Sequence, residues 1–144
     1  MKFERRLESA WWALRIGLGV APVAAGLDKF FNLLADWEGY LSPLLQRLLP
    51  VSAVTFMHLV GIVEIAAGLA ILTRWTREAS YVAMAWLALI AVNLITTGKF
   101  LDIAVRDVEM AIAAYALARL TEVREAAVEP RVAHSQSASM RASA

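Results

Sequence analysis

Between Ala79 and Gly98 the chain runs 20 residues without a charged side chain. A helix rising about 1.5 Å per residue crosses the ~30 Å hydrocarbon core of a bilayer in that length. Asn93 and the Thr96–Thr97 pair are the polar points within it. Ser9 to about Leu34 and Val51–Leu72 are further apolar stretches of spanning length, the first interrupted by Arg15, Asp28 and Lys29 and the second by Glu64, with Pro50 opening the latter. Apolar residues make up 60% of the chain and its mean hydropathy is +0.58, well above the share of a soluble domain. A chain of 144 residues with this bias is expected to be one membrane-embedded domain. A net charge of +1 gives no sign of nucleic acid as a partner, which leaves the lipid bilayer as the first one. With no cysteine and two histidines, the chain has no disulfide, no thiolate metal site and no multi-histidine centre, so no metal is expected.

The fourth stretch, Leu101–Leu120, is long enough to span but carries Asp102, Arg106, Asp107 and Glu109 in its first half. Each ionisable group near the centre of a bilayer costs about 2.5–3.5 kcal/mol, so a lone helix of this kind inserts poorly. Partners on neighbouring helices resolve the difficulty. The reading is therefore an all-α, integral membrane four-helix up-down bundle over residues 1–120, with helices at about 9–34, 51–72, 79–98 and 101–120. Residues 121–144 read as a polar tail, the last helix fraying by about Ala127 and the remainder partly disordered. Between the first two spans, Ser42 and Pro43 form a helix-start signal. Trp37, Leu41, Leu44, Leu45 and Leu48 line up at helical spacing, so a short interfacial helix is expected there.

Lysine and arginine placement orients the bundle. Nine fall on the side of the termini (Lys2, Arg5, Arg6, Arg74, Arg77, Arg119, Arg124, Arg131, Arg141), against Arg47 and Lys99 on the other. Positive charge favours the cytoplasm, so the chain is expected to be a multi-pass protein of the cell inner membrane with N and C termini cytoplasmic. APVAAG resembles a signal-peptide cleavage site, but Arg15 interrupts the apolar run before it, and the first helix is expected to stay attached.

In this topology Asp28, Lys29, His58, Asn93, Asp102, Arg106, Asp107 and Glu109 meet in one layer near the loop end, with Glu64 deeper. Asp102, Arg106 and Glu109 share a helix face, and Asp107 is turned about 100° from it. Lys29 is expected to pair with Asp107 or Glu109. The spans hold five acids against three bases, so one buried acid, Glu64 foremost, is expected to keep its proton. Small residues fall on two faces of the first helix. One holds Gly17, Ala21 and Ala25; the other holds Arg15, Gly19, Pro22, Gly26 and Lys29.

The segments LRIGLGVAPVAAGLDKF, GIVEIAAGLAILTRW and LDIAVRDVEMAIAAYALARL, taken together over roughly residues 10–120, resemble the DoxX-like family of small four-helix membrane proteins. An arginine-bearing first helix ending in Gly-x-x-Lys corresponds to Arg15, Gly26 and Lys29. A glutamate in a glycine-rich second helix before a Thr-Arg turn corresponds to Gly61, Glu64, Gly68 and Arg74. The resemblance implies association with quinone-linked oxidation or with membrane oxidoreductase assemblies. Any thiol chemistry in such a role falls to a partner protein.

Three readings of the polar layer stand side by side. In the first it holds a quinone headgroup, the only cofactor called for and not a covalent one, with Lys29, His58, Glu64, Arg106 and Glu109 as ligand-binding residues. Electrons then come from a protein partner, and no residue of the chain is assigned a catalytic role. In the second the layer is architecture, and the chain is a scaffold for a protein partner or a homo-oligomer. In the third, Glu64 and the outer acids relay protons or a small solute.

Overall fold

The computed structural model describes the backbone of residues 2–142 and the side chains of residues 6–127. The elements are α1 (Lys2–Asp28), a single 3-10 turn (Trp37–Tyr40), α2 (Pro43–Leu48), α3 (Ala53–Leu72), α4 (Thr76–Thr97) and α5 (Leu101–Ala142). No strand occurs among the described residues. Three helices have the length and apolar composition to cross a membrane: Arg6–Asp28, Ala53–Leu72 and Thr76–Thr97. Large apolar side chains such as Val20, Ile62, Leu69, Val82, Leu89 and Ile112 are exposed around the bundle. A surface this apolar suits lipid contact rather than water.

Helix limits follow local chemistry. The first helix stops at Asp28, six residues short of the expected Leu34. The Asp28 carboxylate accepts the backbone N–H groups of Leu33 (3.1 Å) and Leu34 (3.0 Å), and Asn32 turns the chain at a left-handed φ of 51°. Asparagine tolerates that conformation, a common way to end a helix. Ser42 caps α2 as its sequence suggests, accepting from the Leu45 N–H at 3.2 Å, and Ser52 does the same for α3 through Thr55. α4 begins three residues before Ala79. Thr76 is buried there, and its hydroxyl donates to the carbonyls of Ile71 and Thr73 at 2.9 Å each.

α5 continues past Leu120 as helix to Ala142, whereas the sequence suggests fraying near Ala127. The first turns beyond Leu120 are anchored sideways. Tyr81 donates to Glu122 at 2.8 Å, Arg77 pairs with Glu125 at 2.9 Å, and Arg124 pairs with Glu8 at 2.8 Å. The buried face of α5 reads Ala104, Asp107, Ala111, Ala114, Leu117, Ala118 and Thr121, the three-four spacing of a helix packed on neighbours.

The helices associate as two antiparallel pairs, α1 with α3 and α4 with α5. Glycine sets the first pair. A Cβ on Gly26 would lie 2.5 Å from the Gly61 carbonyl oxygen, one on Gly61 would lie 2.6 Å from the Gly26 oxygen, and one on Gly68 would strike the Gly19 oxygen. Backbones meet at two points one heptad apart, which only glycine permits. Of the two small-residue faces on α1, the one holding Gly19, Pro22 and Gly26 meets α3; Gly17 has open space beside it.

The two pairs join at the end that carries the termini. Trp11, Leu18, Ile71, Ala79, Ala83, Ala114 and Leu117 form the packed cluster there. Trp11 also donates its indole N–H to Thr121 at 2.8 Å, linking α1 to α5. Arg15 closes the free end of α3, donating to the carbonyls of Ile71 (3.0 Å), Leu72 (2.7 Å) and Thr73 (2.7 Å). Its guanidinium also sits 4.8 Å from the Trp11 ring and 5.1 Å from that of Trp12. Those carbonyls have no partner within their own helix.

Candidate functional site

Toward the loop end the four helices line an open cavity of about 750 Å³ that reaches down to Leu18 and Ala83 of this cluster. Its walls come from α1 (Leu18, Ala25) and Lys29 just after it, α3 (Met57, Val60, Glu64), α4 (Trp86, Ile90, Asn93) and α5 (Arg106, Asp107, Met110). The connection between α1 and α3 forms its roof. Trp37, Leu41, Leu44, Leu45 and Leu48, the apolar stripe legible in the sequence, all face this space. Asn93 fastens the roof. It accepts the Ser42 N–H at 3.1 Å and donates to the Tyr40 carbonyl at 2.8 Å. Tyr40 in turn packs edge-on against Phe100, 4.8 Å away, just before α5.

The polar heart of the cavity is a buried ion pair. Lys29 Nζ lies 2.6 Å from Glu64 Oε2, with side chains only 4% and 10% exposed. The same ammonium sits 3.6 Å from the centre of the Trp37 ring, on its face. This corrects one expectation: Lys29 pairs across to α3, not to Asp107 or Glu109. The Gly26–Gly61 contact one turn away explains the match, because only closely spaced backbones bring these side chains together.

Asp107 is also buried, within electrostatic reach of Lys29 and Glu64. Its nearest cation, Arg106, is 3.6 Å away and 66% exposed, at the edge of the cavity. Trp86 lies against Glu64, whose carboxylate is within reach of its buried Nε1–H without the close geometry of a full hydrogen bond. Spacing gave a signal for Trp86 that the sequence reading passed over. It stands two turns before Asn93 on the same face of α4.

Of the residues assigned to the layer from sequence, Lys29, Glu64, Asn93, Arg106 and Asp107 are brought together. His58 is not: it stacks on Phe30, 4.7 Å away and nearly parallel, on the flank of α3. Asp102 and Glu109 point to the exposed face of α5. Asp28 is buried but serves the chain itself, accepting the Trp37 indole N–H at 2.8 Å as well as the two backbone groups after α1. Among the described residues no cluster of His, Cys, Asp and Glu could hold a metal.

Fold and site together define a small all-α membrane bundle with a partly polar cavity between two helix pairs. A family model described as DoxX matches residues 10–98, which covers most of α1 and all of α2 to α4, and so Lys29, Glu64, Trp86 and Asn93. The chain belongs to the DoxX family. Arg106 and Asp107 lie beyond the matched span. No curated protein and no solved structure matches the chain.

Proposed function

We propose that this protein is a membrane subunit of quinone-linked redox chemistry, and that its cavity receives the quinone headgroup. The observation that supports this most is the cavity's division. A polar end formed by Lys29, Glu64, Trp86 and Asp107 adjoins a long apolar wall that includes Val60, Ile90 and Met110. A volume near 750 Å³ lies within the range of about 300–1,000 Å³ typical of small-molecule sites, enough for a head and the first units of an isoprenoid tail. Such a head takes up two electrons and two protons on reduction. The carboxylates of Glu64 and Asp107 are the groups of this chain that hold or pass protons beside it. The electrons come from a redox protein that docks on the bundle. On this reading the chain sits in the cell inner membrane with both termini cytoplasmic and the roof facing outward.

The test is native mass spectrometry of the protein released from nanodiscs that contain quinone. A retained quinone mass that disappears in Trp86→Ala and Asp107→Asn supports the reading. A protein that carries no quinone even in quinone-rich discs sinks it.

A second reading has its own support. Lys29 is consumed by Glu64 and Trp37, and Asn93 by the roof. Polar groups spent in this way suit a scaffold that recruits a protein partner or a second copy. A stoichiometric protein partner with no quinone in the same spectra favours it.

A further inference from the structure

We propose that the outward face of α5, centred on Glu109, is the surface through which two copies of this chain pair in the membrane. The pairing does not depend on what the cavity holds.

Asp102, Val105, Glu109, Ile112, Ala116 and Arg119 recur at alternating spacings of three and four residues. Such a stripe is the seam that one helix offers to another. It runs along α5 opposite the buried stripe from Ala104 to Thr121. All six side chains are exposed except the half-buried Ala116.

Glu109 is the residue that lipid alone leaves unexplained. It stands eight residues beyond Leu101, where α5 begins. At about 1.5 Å per residue that is about 12 Å below the roof-side end of a helix crossing ~30 Å of hydrocarbon. Its side chain points away from the bundle and has no ion-pair partner among the described residues. Ionisable groups inside a bilayer almost always face a bundle interior and pair there, as Lys29 and Glu64 do. Arg106 is also exposed, and its carboxylate partner among the described residues is Asp107 at the long distance of 3.6 Å.

Charge complementarity makes a second copy the occupant. Two copies in one membrane share an orientation, so a two-fold axis along the membrane normal brings equal depths of α5 together. Arg106 flanks the seam one turn from Asp102 on one side and one turn from Glu109 on the other. The base of each copy therefore comes beside acids of the other, and symmetry makes every such contact twice. The valine, isoleucine and alanine of the stripe fill the seam between the charged positions.

The test uses the full chain, whose lack of cysteine lets single replacements report alone. Val105→Cys and Ile112→Cys mark the seam; Val20→Cys on α1 and Ile62→Cys on α3 are exposed controls. Each is oxidised with copper phenanthroline in liposomes at a low protein-to-lipid ratio. The seam variants are expected to form covalent dimers far faster than the controls. Energy transfer between donor- and acceptor-labelled Glu38→Cys copies then measures pairing without a cross-link. Glu109→Leu should weaken that pairing about tenfold, the worth of one charge-assisted hydrogen bond. It should not lower the thermal transition of the dilute chain, because Glu109 has no ion-pair partner in its own bundle. Equal cross-linking at seam and control positions overturns the assignment of this face, as does energy transfer that Glu109→Leu leaves unchanged. A chain that stays monomeric at every protein-to-lipid ratio overturns the pairing of copies, whether a foreign span or lipid then covers α5.

Discussion

Lys29 shows how one residue can be legible in depth and illegible in direction. Its place near the loop end of α1 follows from counting residues. Its partner depends on helix rotation, and Glu64 becomes the partner only because Gly26 and Gly61 let α1 and α3 touch. Removing one member of a buried pair strands the other. Lys29→Met is expected to destabilise the protein by about 3–5 kcal/mol, whereas Lys29→Met combined with Glu64→Gln should recover most of that loss. Denaturant unfolding in mixed micelles measures both, and equal damage from the single and double variants would refute the pairing. The same limit explains Glu109 and His58. They lie in the right stretch of sequence, but the chain rotates them outward, and a depth argument alone cannot see a rotation of 100°. Arg15 was legible as an unusual charge, but its contacts are the end carbonyls of another helix, which no spacing rule on α1 encodes. Arg15→Gln is expected to cost about 1.5–3 kcal/mol, the worth of charge-assisted hydrogen bonds. Arg15→Lys should recover only part, because an ammonium cannot fork across three carbonyls.

At the scale of elements, the four long helices, the short α2 and the turn at Gly98 were readable because uncharged length, Ser-Pro and Gly signals act locally. Gly98 takes a left-handed φ of 67° there, ending α4 as glycine commonly does. Which small-residue face packs was not readable, since two faces of α1 carry small residues and composition ranks them equally. The structure separates them with a sharp contrast. Gly26→Ala should push α1 from α3, and overpacking of this kind typically costs about 1–3 kcal/mol. Gly17→Ala meets nothing within 4 Å and should be neutral or stabilising by about 0.5–1 kcal/mol, the usual gain of alanine over glycine in a helix. Thermal unfolding of the two variants side by side decides it. Similar losses would mean that the α1–α3 seam is elsewhere. The extension of α5 has a comparable local cause. Glu122, Arg124 and Glu125 find partners on α4 and α1, and a sequence window confined to residues 121–127 contains none of them.

The molecule as a whole joins two helix pairs that pack together at the end with the termini and leave a cavity beneath the roof. That asymmetry gives orientation its consequence, because the roof determines which side of the membrane communicates with the cavity. Nine lysines and arginines gather at the end with the termini and its turn, while Arg47 and Lys99 mark the roof side. The bias in positive charge favours the cytoplasmic side for the termini, which is the orientation proposed above. Because the chain has no cysteine, single replacements report topology without a background to remove. Arg74→Cys, in the turn between α3 and α4, is expected to react with a membrane-impermeant maleimide only after the cytoplasmic face is opened. Glu38→Cys, in the roof, should react in intact cells from which any outer barrier has been stripped. Labelling of both from one side would break the up-down arrangement of α1 and α3. Exchanged sides would keep the fold and invert the orientation, so that the cavity roof would face the cytoplasm and any quinol bound there would exchange its protons with that compartment.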